Sequence, residues 1–390
     1  MPSLMSNYSR LPVSFVRGEG ACLWDTEGAR YLDVLSGIAV CGLGHAHPAI
    51  TRAICDQAAQ LLHTSNVYGI PHQQALADKL VQLSGMENVF FCNSGTEANE
   101  AAIKLARLYG NQRGISVPTI VVMEGAFHGR TLAALTATGN RKAQAGFSPL
   151  VEGFIRIPYN DIEALHTLAT QQENNIVAVL VEPVQGEGGV VVPAADYLNQ
   201  IRAICDQNDW LMMLDEIQTG IGRTGKWFAF QHNGILPDVM TLAKGLGNGI
   251  PVGACLAQGK AASLFQAGSH GSTFGGNPFA CKVALTVLET IENNNLLPRV
   301  QALSARFMQG LQTALADVSA VKVIRNHGLL IGIELDRPCG ELVKLALAEH
   351  LLINVTAEKV IRLLPPFILS DAQVDEIVDT LSRLIKNFTH

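Results

Sequence analysis

Short apolar runs separated by amphipathic segments dominate the middle of the chain. The runs do not alternate between apolar and polar residues, which is typical of strands covered on both faces of a sheet. They lie at 88–92, 119–123, 176–181, 211–214, 238–242 and 252–257. Between several of them, segments 97–109 and 195–207 carry apolar residues three and four positions apart, as helices packed on a sheet do. This alternation predicts a doubly wound α/β sheet.

Both ends of the chain have a different pattern. Residues 20–34 predict a hairpin around Gly28, and a long helical segment follows Pro278 to about residue 318. Two strand-like segments and two helices come next, at 321–325, 329–335, 340–350 and 371–387. We therefore expect a large domain with a mostly parallel central sheet and a smaller α+β domain built from both chain ends. The predicted division is 1–62 and 281–390 for the small domain and 63–280 for the large one.

Composition narrows the class of protein. The chain has 390 residues, of which 48% are hydrophobic and only 16% charged, so apolar burial can offset the entropy lost on folding and intrinsic disorder is excluded. The formal charge of −6 argues against sequence-independent binding to nucleic acid, which needs a basic surface. The small charged fraction indicates that much surface is hidden, in a core or against another subunit.

Cysteine spacing and hydropathy bear on location. Eight cysteines are scattered without a Cys-x-x-Cys pair, which indicates reduced thiols rather than a disulfide framework or zinc site. His45 and His47 lie near Cys41, but the surrounding glycines and Pro48 fit a turn, so no metal site is predicted. No secretory signal and no apolar run of about 18 residues is visible. We expect a cytoplasmic protein that does not enter a membrane.

A first candidate motif follows the strand at 88–92. Ser94, Gly95 and Thr96 open a helix, and backbone N–H groups at a helix N-terminus stabilise an anion such as phosphate. The same residues, with Glu97, also fit an ordinary helix cap. By itself the motif favours the cap.

Two further motifs lie at strand ends, where ligands bind in open α/β sheets. Asp215 could pair with a protonated ring nitrogen or form a structural hydrogen bond, and Gln218 lies beside it. Lys244 leaves a strand into a glycine-rich turn; desolvation there would lower its pKa and make the amine a nucleophile, although lysines are usually solvated. A phosphate site, an acid and such a lysine are together what pyridoxal 5'-phosphate (PLP) requires.

Over essentially its whole length the sequence resembles the class III, ω-amino-acid aminotransferases of PLP fold type I. The segments that carry the resemblance are 37–40, 44–48, 92–100, 126–131, 181–189, 214–225, 242–247, 271–278 and 361–366. They occur in order and without a large gap. The resemblance implies a homodimer with active sites at the interface, small-molecule substrates (an amino acid and a 2-oxo acid) and a ping-pong reaction.

The resemblance also implies residue roles around the cofactor ring. Lys244 would form a Schiff base with PLP and later move the proton between the substrate carbon and the cofactor. Asp215 would keep the pyridine nitrogen protonated, Phe127 would stack on the ring, and Gln218 would touch the ring hydroxyl. His128 would be a neighbour that orients these groups or an acid or base.

At the phosphate end, the resemblance implies contacts from two subunits. Gly95 and Thr96, with Ser94 beside them, would hold the phosphate from one chain. Thr273 of the second chain would complete the site, and Ser272 would lie near the substrate.

Substrate carboxylates are expected to meet arginines, whose planar fork matches a carboxylate. By the resemblance, Arg362 would bind the α-carboxylate of glutamate and Arg130 the distal carboxylate of either substrate. Glu187 would pair with Arg362 when no carboxylate is present, which avoids an unpaired buried charge. Glu182 would be a second acid with an open role. Surface ion pairs are the alternative for both arginines.

The expected reaction moves the δ-amino group of N2-acetyl-L-ornithine to 2-oxoglutarate, a step of arginine biosynthesis. Ornithine, succinylornithine, succinyldiaminopimelate and 4-aminobutyrate remain alternative donors, and Tyr8 lies where ornithine-specific members have a tyrosine that contacts substrate. A phosphate- or nucleotide-binding α/β oxidoreductase is the alternative from another class. The sequence does not support this alternative, because the first βα turn has no Gly-x-Gly-x-x-Gly motif followed by an acidic residue about 20 positions later.

Overall fold

Three β-sheets with helices packed on them make up the computed structural model, which describes residues 3–170 and 175–389. The strands are β1 (Phe15–Glu19), β2 (Cys22–Asp25), β3 (Arg30–Asp33), β4 (Asn88–Cys92), β5 (Thr119–Met123), β6 (Phe154–Ile157), β7 (Ile176–Val181), β8 (Leu211–Asp215), β9 (Val239–Leu242), β10 (Gly253–Ala257), β11 (Val321–His327), β12 (Leu330–Leu335), β13 (Leu351–Leu352), β14 (Asn354–Thr356) and β15 (Val360–Leu363).

The helices include one-turn and long segments. They are α1 (Ser36–Ala39), α2 (Pro48–Ala58), α3 (Pro71–Ser84), α4 (Gly95–Gln112), α5 (Leu132–Ala137), α6 (Arg141–Gln144), α7 (Ile162–Thr170), α8 (Tyr197–Asn208), α9 (Pro278–Asn293), α10 (Leu296–Ala314), α11 (Leu342–Ala348) and α12 (Asp371–Thr389). Short 3-10 helices lie at Ala229–His232, Lys244–Leu246 and Gly259–Ala261. Within the described part of the chain, no helix combines the length and apolar character needed to cross a bilayer.

The central sheet has seven strands in the order β4-β10-β9-β8-β7-β5-β6. Strands β6, β5, β7, β8 and β9 pair in parallel, and β10 runs antiparallel to both of its neighbours. Every residue of β5, β7, β8, β9 and β10 is buried, which explains why these runs lack polar alternation. The mostly parallel α/β sheet expected from the sequence is confirmed.

Two smaller sheets come from the ends of the chain. One has the order β1-β2-β3-β13, in which β13 pairs in parallel with β3, so the two chain ends share a sheet. The other has the order β11-β12-β15-β14 and is antiparallel throughout. The predicted hairpin is β2 and β3, joined through Gly28 with φ +86°. The domain limits at residues 62 and 280 stay predictions.

The long helix predicted after Pro278 is in fact two helices. α9 ends at Asn293 and α10 begins at Leu296, because Asn295 between them has a left-handed backbone with φ 50°. Asparagine tolerates this conformation better than most residues. The apolar spacing continues on both sides of the break, so periodicity alone did not reveal it.

The turn after β3 has an unusual backbone. The four residues of α1 all have positive φ, from 45° to 66°, a conformation that is strained for residues other than glycine. Asp33 stabilises its start, since Oδ1 accepts from the N–H groups of Leu35 (2.9 Å) and Ser36 (2.8 Å). The other oxygen, Oδ2, lies 2.8 Å from His45 Nε2. The turn leads to Val40, which lines the cavity described next.

Candidate active site

A cavity of about 380 Å³ opens at the carboxyl edge of the central sheet. The predicted site residues that line it are Ser94, Gly95, Thr96, Phe127, Arg130, Glu187, Asp215, Gln218 and Lys244. Arg362 reaches it through an ion pair with Glu187, whereas Ser272 and Thr273 lie outside the lining. The site forms here because β4, β8 and β9 end at one edge of the sheet.

Lys244 comes two residues after β9, on a backbone with φ 41°. Burial lowers the pKa of its amine, an effect that the Glu187 carboxylate partly opposes. A larger neutral fraction makes the amine a better nucleophile. Gly247 in the following turn is required by the backbone itself. A Cβ there would lie 2.0 Å from the carbonyl oxygen of Ile250.

Asp215 ends β8 and is held by three donors. Its Oδ2 accepts from Asn99 Nδ2 and lies near His128 Nδ1, both at 2.8 Å, and its Oδ1 accepts from the N–H of Ile217 at 3.1 Å. The residue is 4% exposed. The carboxylate therefore has one fixed orientation, and His128 is a neighbour that orients it.

The first turn of α4 has a side-chain cap, and its remaining N–H groups are of the kind that stabilises an anion. Ser94 Oγ accepts from the N–H of Glu97 (3.3 Å), which is the ordinary cap. The N–H groups of Gly95 and Thr96 lie in the first turn, where no carbonyl of the helix reaches them. A Cβ on Gly95 would lie 2.8 Å from Ile217 Cδ1, so a larger residue there would require the Ile217 side chain to shift. The helix cap and the phosphate site that the sequence offered as alternatives for this turn are therefore compatible, because they use different N–H groups.

Glu182 and Phe127 form one wall of the cavity. The Glu182 carboxylate accepts from the N–H groups of Phe127 (3.1 Å) and Gly186 (3.4 Å). Burial raises the pKa of Glu182 to about 7. Its contacts show that it supports the loop that carries Phe127. The guanidinium of Arg130 lies 5.5 Å from the centre of the Phe127 ring and is exposed to solvent.

Arg362 on β15 is fully buried. Its Nη1 lies 2.7 Å from Glu187 Oε1 and 3.5 Å from Gln218 Oε1, and its Nε donates to Asn354 Oδ1 at 3.2 Å. Its Nη2 is buried and has no hydrogen-bond partner among the described residues. The guanidinium thus has one carboxylate partner and an unsatisfied donor beside it.

Ser272 and Thr273 lie on a surface segment. Ser272 Oγ accepts from the N–H of Gly275 (2.9 Å), and its backbone carbonyl accepts from Asn66 Nδ2 (3.1 Å). Thr273 is exposed, and so is 63% of the next residue, Phe274. Tyr8 is also exposed and does not line the cavity.

Two residues beside the site were missed in the sequence. Asn99 contacts Asp215, and Asn354 contacts Arg362. The signal for Asn99 was available, because it is a polar residue on the same helical face as Ile103 and Ala106, both buried. No comparable signal marks Asn354, since only the β14–β15 pairing brings it opposite Arg362.

Comparison with known proteins gives the family. The model of the family described as aminotransferase class-III matches residues 4–385. The acetylornithine aminotransferase of Nitrosomonas europaea is 58% identical over 388 residues, which cover 100% of this chain and 98% of that protein.

Two solved structures are also similar. The acetylornithine aminotransferase of Elizabethkingia anophelis has a TM-score of 0.89 and 37% identity, over 98% of this chain and 96% of that chain. An ornithine aminotransferase of Toxoplasma gondii with PLP at partial occupancy in its active site has a TM-score of 0.95 and 32% identity, over 99% of this chain and 92% of that chain. The fold type expected from the sequence is thereby confirmed. The chain belongs to the class-III aminotransferase family.

Proposed function

We propose that the chain transfers the δ-amino group of N2-acetyl-L-ornithine to 2-oxoglutarate, giving N-acetyl-L-glutamate 5-semialdehyde and L-glutamate in arginine biosynthesis. The observation that carries the proposal is the ion pair between Arg362 and Glu187 at the cavity that Lys244, a partly buried residue, also lines. The substrate named for the Nitrosomonas europaea relative supports acetylornithine as the donor. Family membership excludes the oxidoreductase alternative.

The residues of the cavity fit PLP, on which enzymes of this family depend. When bound, PLP supplies an electron sink for the carbanion formed at the substrate carbon. The N–H groups of the first turn of α4 suit its phosphate, and the fixed carboxylate of Asp215 suits its pyridinium nitrogen. The amine of Lys244 would hold its aldehyde carbon.

Four side chains would contact the cofactor ring, each with a different role. Lys244, once released by the incoming amine, would take the proton from the substrate carbon and return it to the cofactor side. Asp215 would stabilise the protonated ring nitrogen by its negative charge. Phe127 would cover one ring face, and Gln218 would donate to the ring hydroxyl. The presence of all four residues in the cavity lining supports these roles.

The two arginines would accept substrates of different shape. Glutamate presents a carboxylate beside its reacting carbon, and Arg362 has an unsatisfied Nη2 for it. Acetylornithine presents only methylene groups there, so Glu187 would remain on Arg362 and keep the buried charge paired. Arg130, at the exposed end, would bind the distal carboxylate of either substrate.

A homodimer belongs to the same proposal. The segment 61–68 contacts the segment 272–275, because Asn66 Nδ2 donates to the carbonyl of Gly275 at 2.9 Å. The two segments share exposed apolar side chains, at Leu61, Leu62, Val67, Tyr68 and Phe274. In the dimer that the resemblance implies, a second copy would cover them and Thr273 would contact the phosphate of the partner site. Light scattering should give twice the mass of one chain; a stable monomer that remains active would contradict this arrangement.

A cytoplasmic location is also proposed. All eight cysteines are free in the structure, which is typical of proteins kept in a reducing compartment.

The donor is tested by initial rates with acetylornithine, succinylornithine, ornithine and 4-aminobutyrate, each with 2-oxoglutarate. Acetylornithine should be among the best donors, and the proposal fails if it is not. Tyr8 is exposed and does not line the cavity of its own chain, so its position does not support ornithine as the donor.

The reaction type is tested separately. The purified protein should be yellow and lose that colour on borohydride reduction, and Lys244→Ala should abolish turnover, while Lys226→Ala, outside the cavity lining, should not. A colourless protein that PLP cannot reconstitute would contradict the proposal.

A further inference from the structure

The side chain of Asn99 connects separate parts of the cofactor site. It stands in the second turn of α4 and is 0% exposed. Its Nδ2 donates to Asp215 Oδ2 (2.8 Å) and to the backbone carbonyl of His128 (2.7 Å), and its Oδ1 accepts from Thr241 Oγ1 (2.8 Å). Both N–H donors and the oxygen of the amide are therefore in use.

These partners fix the orientation of the amide. A carboxylate and a backbone carbonyl only accept hydrogen bonds, so the NH₂ side must face Asp215 and His128. The hydroxyl of Thr241 can donate to the remaining oxygen. A flipped amide would place that oxygen against two acceptors in a buried environment, where unpaired polar groups are unfavourable. Among side chains of this size, only asparagine supplies two donors and an acceptor here.

Each segment joined by this amide carries a proposed cofactor contact. The helix that bears it begins at Gly95, in the phosphate site. His128 directly follows Phe127, and Thr241 lies on β9 three residues before Lys244. The fourth segment is the end of β8, with the acid for the ring nitrogen. The phosphate end and the nitrogen end of the site are thus linked through one buried side chain.

We propose that Asn99 is a positioning residue for PLP, which acts through Asp215 and sets the distance and angle between the phosphate site and the acid at the ring nitrogen. The inference rests on the cofactor contacts of the proposed function. Without the amide, Asp215 would keep His128 and the N–H of Ile217 as donors but would lose its direct connection to α4.

Asn99→Asp tests the inference, because it keeps the shape of the side chain, removes both N–H donors and places a carboxyl oxygen against Asp215. The dissociation constant for PLP, from absorbance titration of the apoenzyme, should rise about tenfold to a hundredfold, the usual effect of losing a hydrogen bond to a charged group. The visible band of bound PLP should also change its pH dependence, because it reports on the protonation of the cofactor nitrogens.

Asn326→Asp is the matched control. Asn326 lies on β11 of the small antiparallel sheet and donates to Ser304 Oγ of α10 (2.7 Å), outside the cavity lining. This variant removes an asparagine hydrogen bond elsewhere and should leave both the PLP dissociation constant and the visible spectrum unchanged. A change in both variants alike would mean that Asn99 acts only through overall stability and would overturn the inference.

Thr241→Val keeps the inference testable if Asn99→Asp does not fold. It removes only the donor to Asn99 Oδ1, and the dissociation constant should rise about threefold to tenfold, as for one neutral hydrogen bond. Folded variants with unchanged dissociation constant and spectrum would overturn the inference. A wild type that binds PLP but does not use acetylornithine would refute the proposed donor alone, because neither readout requires a substrate.

Discussion

Arg362 and Arg130 are proposed for the same task, binding a carboxylate, but the structure gives them opposite surroundings. Arg362 is fully buried and held by Glu187 and Asn354. Arg130 is exposed and lies over the ring of Phe127. A buried cation requires an anionic partner at all times, whereas an exposed cation is solvated by water. We therefore expect the buried arginine to exchange partners when a substrate carboxylate binds, whereas the exposed one need not.

The largest effect should come from Arg362→Lys. A lysine lacks the planar fork and leaves Glu187 imperfectly paired, so kcat/KM for glutamate should fall about a hundredfold or more. The acetylornithine half-reaction should lose much less, because methylene groups occupy that place. Stopped-flow absorbance of each half-reaction measures both. Equal losses for the two substrates would remove the distinction between the arginines.

Glu187→Gln should have the opposite effect to Arg362→Lys, because it should impair the half-reaction with acetylornithine more than the one with glutamate. The variant leaves the Arg362 charge without a carboxylate, so the acetylornithine half-reaction should slow about tenfold, while glutamate, which brings its own carboxylate, should bind as well or better. The ratio of the two kcat/KM values is the measurement. An unchanged ratio would mean that Glu187 does not alternate with substrate.

Arg130→Lys should have a smaller and more uniform effect. Because this arginine is exposed, KM should rise about threefold to tenfold for both substrates with kcat nearly unchanged. Added salt should weaken binding further, since exposed charges are screened. A loss confined to one substrate would assign Arg130 a role like that of Arg362.

Folding, rather than activity, should depend on a partly buried ion pair that no substrate replaces. Hydrogen bonds to Asp33 and then to Cys41 raise the pKa of His45 to about 9. Its stabilising contribution is therefore fully present below the unfolded pKa of 6.5 and is lost as the pH rises through about 9.

Between pH 7 and 10 this amounts to about 2 kcal/mol of unfolding free energy. Urea unfolding of the holoenzyme at both pH values measures it, and His45→Gln should remove most of the difference, with His47→Gln as the control. If His45→Gln leaves the pH dependence unchanged, the pair does not contribute to folding as described.

Much of the central sheet was predictable because burial on both faces imposes an apolar sequence. The run 119–123 is β5 without any change of limits, and the run 211–214 misses only Asp215 at the end of β8. The break at Asn295 was not predictable, since it depends on a single backbone conformation rather than on hydrophobic spacing.

The candidate site was predictable where a motif follows a strand, as at Lys244 and Asp215. It was not predictable where partners come from distant strands. Asn354 meets Arg362 only through strand pairing. Asn99 meets Thr241 across a helix and a strand. Short-range patterns contain no information about such contacts.

The sequence by itself determined the order of strands and helices, the low charge and the residue types at the ends of the strands. Only the tertiary structure decided which charges are buried. Arg130 and Arg362 both stand in short motifs beside glycine or proline, yet β15 packs between β12 and β14 and buries Arg362, whereas the loop after Phe127 leaves Arg130 in water. Burial depends on elements far apart in the chain, which no local pattern records.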